Sequence, residues 1–92
     1  MNNLHNKNTK KGIGWLGEVF GEAPVQGIGE YFGSTWYFKA RGSKWTFEIN
    51  GKKPFKKSEP WGTWPDAGYM SHEEAWAIIT GIIETLIDEQ KK

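Results

Sequence analysis

Seven cations crowd a stretch of nineteen residues: Lys39, Arg41, Lys44, Lys52, Lys53, Lys56 and Lys57, with Tyr37 just ahead of them. Ammonium and guanidinium groups held together neutralise phosphates and release counterions. A Tyr among them can stack on a base or pack on a sugar. The chemistry on offer is binding, and a phosphate backbone is its matching ligand. The competing explanation is that lysines on a wet sheet face discourage edge-to-edge pairing. A second group lies in the run Pro60-Trp61-Gly62-Thr63-Trp64-Pro65. Trp is a frequent interface hot spot, but in a chain with few aliphatics Trp61 and Trp64 are better read as plugging the open end of a small core. The acids Glu73, Glu84, Asp88 and Glu89 read as one solvated helix face.

Catalysis finds little to work with. The chain has no Cys, which excludes thiolate chemistry, disulfides and Cys-based metal sites. His5 and His72 are far apart, and neither has a neighbour at ligand spacing. His72 reads as a solvated side chain at the start of a helix. Glu73 and Glu74 are adjacent, so they diverge on a helix and cannot flank a substrate as an acid/base pair. Asp66 follows Pro65 in a loop, where an Asp most often caps a turn. The Gly12/Gly14 and Gly27/Gly29 pairs lack the rest of a dinucleotide-binding motif. No catalytic residue, no metal ligand and no cofactor is expected.

The elements that must carry the cations are legible. Ser34 to Arg41 and Lys44 to Asn50 are rich in β-formers and are separated by Gly42-Ser43, the signature of a two-residue hairpin turn. That turn puts Arg41 opposite Lys44, Phe38 opposite Phe47 and Trp36 opposite Ile49. One face then holds Trp36, Phe38, Ala40, Trp45, Phe47 and Ile49, all apolar. The other holds Tyr37, Lys39, Arg41, Lys44, Thr46 and Glu48. Gly27 to Phe32 reads as a preceding strand joined through Gly33-Ser34, and Asn50-Gly51 could turn into a short fourth. Ser71 and Glu74 form a capping box ahead of a helix to Gln90. On that helix Ala75, Trp76, Ile78, Ile79, Ile82, Ile83, Leu86 and Ile87 share one half of the wheel. Its partner is the apolar sheet face, which leaves the other sheet face wet and basic. Gly12 to Gly21 is ambiguous between a strand and an irregular arm: a helical stripe is present, but four Gly oppose a helix.

The expected fold class is therefore α+β, an antiparallel meander of three to four strands with a C-terminal amphipathic helix on one face. Ninety-two residues make one domain, expected over residues 12–92 behind a flexible polar segment, 1–11. The hydrophobic fraction is only 37%, but fourteen residues are aromatic, six of them Trp, and such side chains can build a core from few aliphatics. No apolar run is long enough for a membrane span, and the polar N-terminus is not a secretory signal. A cytoplasmic protein without a membrane partner is the expectation. The net charge of +1 conceals a division: residues 1–57 carry +6 and residues 58–92 carry −5. Such a chain presents one basic and one acidic surface if its halves pack as separate layers.

The stretch from Trp36 to Ile83, strands followed by GYMSHEEAWAII, resembles the three-strands-then-helix layout of AP2-like and phage-integrase arm-binding domains. Tyr69, Ser71, Glu73, Glu74 and Ala75 match the aromatic, the cap and the helix start of those domains, which lay a sheet into the DNA major groove. In size and style, a small Cys-free, Trp-rich chain with no catalytic set is similar to the proteins phages use against host defences, anti-CRISPR proteins among them. That resemblance implies docking on a bacterial protein or protein–RNA complex and steric exclusion of its nucleic acid. A DNA mimic would be strongly acidic, so the implied contact is a basic face centred on Lys39, Arg41 and Lys44. The alternative is a direct duplex DNA- or RNA-binding domain using the same face, and an enzyme ranks a distant third.

Overall fold

The computed structural model describes residues 8–91. Six strands follow one another: β1 (Thr9–Gly12), β2 (Trp15–Phe20), β3 (Val25–Tyr31), β4 (Ser34–Arg41), β5 (Lys44–Asn50) and β6 (Phe55–Pro60). They form one antiparallel sheet in chain order, each beside the next. A 3₁₀ turn, Asp66–Tyr69, leads to helix α1 (His72–Gln90). The architecture is α+β, as expected, with more strands than the three or four anticipated.

The central hairpin shows how the sequence dictates the pairing. Gly42 sits at φ +68°, the backbone conformation that a tight hairpin turn demands of its first central residue. Phe38 then faces Phe47, Trp36 faces Ile49 and Arg41 faces Lys44, the register the turn implies. Burial alternates along both strands. The turn before β4 falls on Phe32-Gly33, one residue earlier than expected, and both residues have positive φ.

The additional strands have a physical reason. Within Gly12 to Gly21, Trp15–Phe20 is strand rather than arm, and Gly17 makes room there for Trp36. The Trp36 indole lies across β3 toward β2, where its Nε1 donates to the Leu16 carbonyl at 3.1 Å. Gly29 is opposite Trp36, and Gly17 is opposite Gly29. A methyl group at either would collide with the indole. Glycine weakens a strand when nothing packs on it; here a buried Trp supplies the missing side-chain surface. Thr9 to Lys11, placed by the sequence in the N-terminal segment, pair with Leu16 to Glu18; residues 1–7 lie outside the described residues. On the other side, β6 arises within the long Pro-containing connection, where Phe55 faces Ile49.

Helix α1 covers one sheet face. Ser71 Oγ accepts from the Glu74 backbone N–H, and the Glu74 carboxylate accepts from the Ser71 N–H, both at 2.9 Å. Ala75, Trp76, Ile79 and Ile83 are buried against Trp36, Phe38 and Phe47, while Ile78, Ile82, Leu86 and Ile87 close the sides. Each fully buried aliphatic of this kind contributes about 1.5–3 kcal/mol. Trp36 stacks on Phe47 with ring centres 5.7 Å apart and meets Trp76 edge-on at 6.1 Å. Among the described residues the core contains no buried polar or charged side chain.

Candidate nucleic-acid interface

The sheet face away from α1 is open. On it, strand alternation and the β4–β5 register bring Tyr37, Lys39, Arg41 and Lys44 together, and the β5–β6 pairing adds Lys56 opposite Glu48. These five line one groove of about 310 Å³ with Thr46 and Glu48. Sheet residues present such groups on a rigid frame. Arg41 and Lys44 stand directly opposite each other, an arrangement that costs stability when no anion lies between them. Among the described residues the one ion pair is Lys57–Glu59 at 3.3 Å, so the four groove cations have no carboxylate at ion-pair distance. The Tyr37 hydroxyl donates to Gln26 Oε1 at 2.8 Å, which orients the ring on the sheet surface.

Three of the eight residues singled out by sequence lie elsewhere. Lys57 faces Phe47 across β5–β6, so its side chain belongs to the helix side, where it pairs with Glu59. Lys52 and Lys53 occupy the β5–β6 turn at the far end of the strands, beside Tyr31, Phe32 and Glu89. Strand alternation separates Lys56 from Lys57, a distinction that could not be drawn while residues 51–70 read as a connection.

The open face is also less uniformly basic than expected. Strands β1, β2 and β3 extend it with Lys11, Leu16, Glu18, Ile28 and Glu30, which line a second groove of about 950 Å³ together with Tyr37. Leu16 and Ile28 are about half exposed. The face thus has a cationic half on β4–β6 and an apolar, carboxylate-flanked stretch on β2–β3 that Lys11 of β1 edges, with Tyr37 bordering both halves. The signal was present in the alternation Leu16-Glu18 and Ile28-Glu30, but the intervening glycines hid the strand period.

The two loop tryptophans divide. Trp61 packs on the core, the plugging role. Trp64 does not: it is 77% exposed, and its indole edge rests on Gly42. The loop is fastened to the hairpin turn, because the Trp61 N–H donates to the Ser43 carbonyl at 2.7 Å and the Ala67 N–H to the Gly42 carbonyl at 3.0 Å. Asp66 accepts from the Thr63 backbone N–H, the turn-capping role expected of it. His72 is not simply solvated: Nδ1 contacts Asn8 Oδ1 at 3.0 Å and Nε2 contacts the Gly21 carbonyl at 2.9 Å. Among the described residues no three His, Asp or Glu side chains converge as metal ligands would, and no helix is long and apolar enough to cross a membrane. Compared with known proteins, the chain matches no family model, no curated protein and no solved structure.

Proposed function

We propose that this chain is a non-catalytic binding protein that docks its open sheet face on a bacterial protein–nucleic-acid assembly, with the cationic half against nucleic acid and the apolar half against protein. The carrying observation is the groove of Tyr37, Lys39, Arg41, Lys44 and Lys56, whose cations lack carboxylate partners among the described residues. Phosphate oxygens would relieve the repulsion between Arg41 and Lys44 and release counterions. The other half of the face argues for a composite partner rather than naked duplex. A phosphate backbone continuing across the sheet would meet Glu30 and Glu18 before it reached Lys11 on the edge strand, whereas a protein surface with basic groups and apolar anchors suits the two carboxylates. Occupying such a surface would sterically exclude any further nucleic acid from it. That is the action expected of a small phage or mobile-element inhibitor of a CRISPR-type complex in the host cytoplasm.

The test compares wild type with Lys39→Glu/Arg41→Glu/Lys44→Glu and with Leu16→Asp/Ile28→Asp. Immobilised wild-type protein should retain an assembly containing both protein and nucleic acid from bacterial lysate at about 0.15 M salt. Either variant should lose it. Retention by the triple variant at wild-type level would remove the basic groove from the site. Tight, steeply salt-dependent gel-shift of short naked duplex would replace this reading with that of a direct duplex binder.

A further inference from the structure

We infer that Trp64 is the base-stacking residue of this interface, and that the nucleic acid it meets is single-stranded. The inference rests on the reading of the cationic groove as a nucleic-acid contact and goes beyond it by naming the strand state and the residue that senses it.

Three observations converge. First, Trp64 is held outward although its loop is fastened down. Trp61 on one side packs on the core, and Ala67 on the other is fully buried. The hydrogen bonds to Gly42 and Ser43 tie both ends to the hairpin turn, and the Ala23 N–H bonds the Gly68 carbonyl at 2.6 Å. The exposed indole is thus presented by an ordered backbone, which lowers the ordering cost of binding. Second, its seat is the turn that ends the groove. A Cβ on Gly42 would meet the indole at 3.1–3.3 Å, so the bare glycine is what the ring lies on. Gly42 follows Arg41 and stands two residues before Lys44. Trp64 does not itself line the groove, but a backbone tracked by those cations would reach the turn on which the indole edge rests. Third, the groove's own aromatic is already committed: Tyr37 is half-buried and its hydroxyl is tied to Gln26.

Cations along a groove with an exposed aromatic at its end suit unpaired nucleotides. Base faces are available for stacking only where the strand is not paired, and such stacking tolerates any sequence. In a duplex those faces are covered, and a ring at a loop tip reaches only sugar and phosphate.

Fluorescence anisotropy with labelled oligothymidylate, oligouridylate and a mixed-sequence duplex tests this at low salt. Wild type should bind the single strands more tightly than the duplex, and the two single strands show whether the 2′-hydroxyl matters. Trp64→Ala should weaken single-strand binding about 5- to 150-fold, the equivalent of one stacked base, leave duplex binding unchanged, and leave the salt dependence unchanged. Trp64→Phe should recover part of the loss. Lys44→Ala, by contrast, should flatten the salt dependence by about 0.7 for each phosphate contact removed. If Trp64→Ala binds single strands like wild type while the Lys39/Arg41/Lys44 triple variant does not, the stacking role is overturned and the groove reading stands. If Trp64→Ala keeps oligonucleotide binding but loses the lysate assembly, the residue contacts protein and the inference is likewise overturned. If wild type binds no oligonucleotide at low salt, the groove reading itself fails.

Discussion

A methyl group at Gly29 would collide with the Leu16 carbonyl and the Trp36 indole. Both are fixed, one by the β2 backbone and the other by burial under α1, so the clash cannot relax by a side-chain swing. Gly29→Ala should therefore destabilise the protein by about 1–3 kcal/mol, the usual cost of overpacking, read as a lower urea midpoint. Gly33 has open space around it but a φ of +85°, so its requirement is conformational rather than steric. Tyr31 offers a different prediction. Burial raises its phenol above the ordinary 10.0, and the Glu89 carboxylate adds to the rise, while Gln90 Nε2 donates to its hydroxyl at 3.0 Å. The neutral phenol is the form the fold favours. Its contribution is whole below pH about 10 and is lost as pH climbs through the raised folded-state value. Tyr31→Phe should lack this component, so the stability difference between wild type and variant should shift on going from pH 9 to pH 11 in parallel alkaline melts.

Helix α1 illustrates how much an element can announce in advance. Its capping box, its apolar half-wheel and its end at Gln90 all follow from local rules, and Ser71→Ala should cost about 1 kcal/mol, measured as a fall in thermal midpoint with the helix content kept. The β4–β5 hairpin is legible for a similar reason: turn chemistry and a period of two specify one register. Strands β1, β2 and β6 are different. Gly14, Gly17 and Gly21 punctuate β2 and its flanking turns, and Pro54 and Pro60 bracket β6. Such residues read locally as breaks. Each pairs with a neighbouring strand, and Trp36 packs over β2 while Phe55 packs on the core from β6.

The whole molecule is a sheet and a helix sharing one core, so neither layer should unfold alone. Ile83→Ala, which opens a cavity at a fully buried site, should lower stability by about 2–5 kcal/mol. Helix loss by far-UV circular dichroism and core loss by Trp fluorescence should remain coincident. Charge reversal at Lys39, Arg41 and Lys44 should behave in the opposite way. The groove lies outside the core, so the variant should melt close to wild type while binding disappears. The division of charge along the chain is realised less simply than two uniform surfaces would suggest. Glu18 and Glu30 come from the basic stretch of sequence yet stand on the open face between the β4–β6 cations and Lys11 of β1.

Fold class, the central register, the capped helix and the gathering of Tyr37, Lys39, Arg41 and Lys44 were implicit in the order of residues, because each depends on spacing within one hairpin or one helix. Three features depended on the folded chain. Lys56 joined the groove while Lys57 turned to the helix side. Leu16, Glu18, Ile28 and Glu30 formed the other half of the face. Trp64 came to rest on Gly42 while its neighbour Trp61 was packed on the core. Each of these turns on which strand lies beside which, and on a few contacts between residues distant in sequence, and no local period records such contacts.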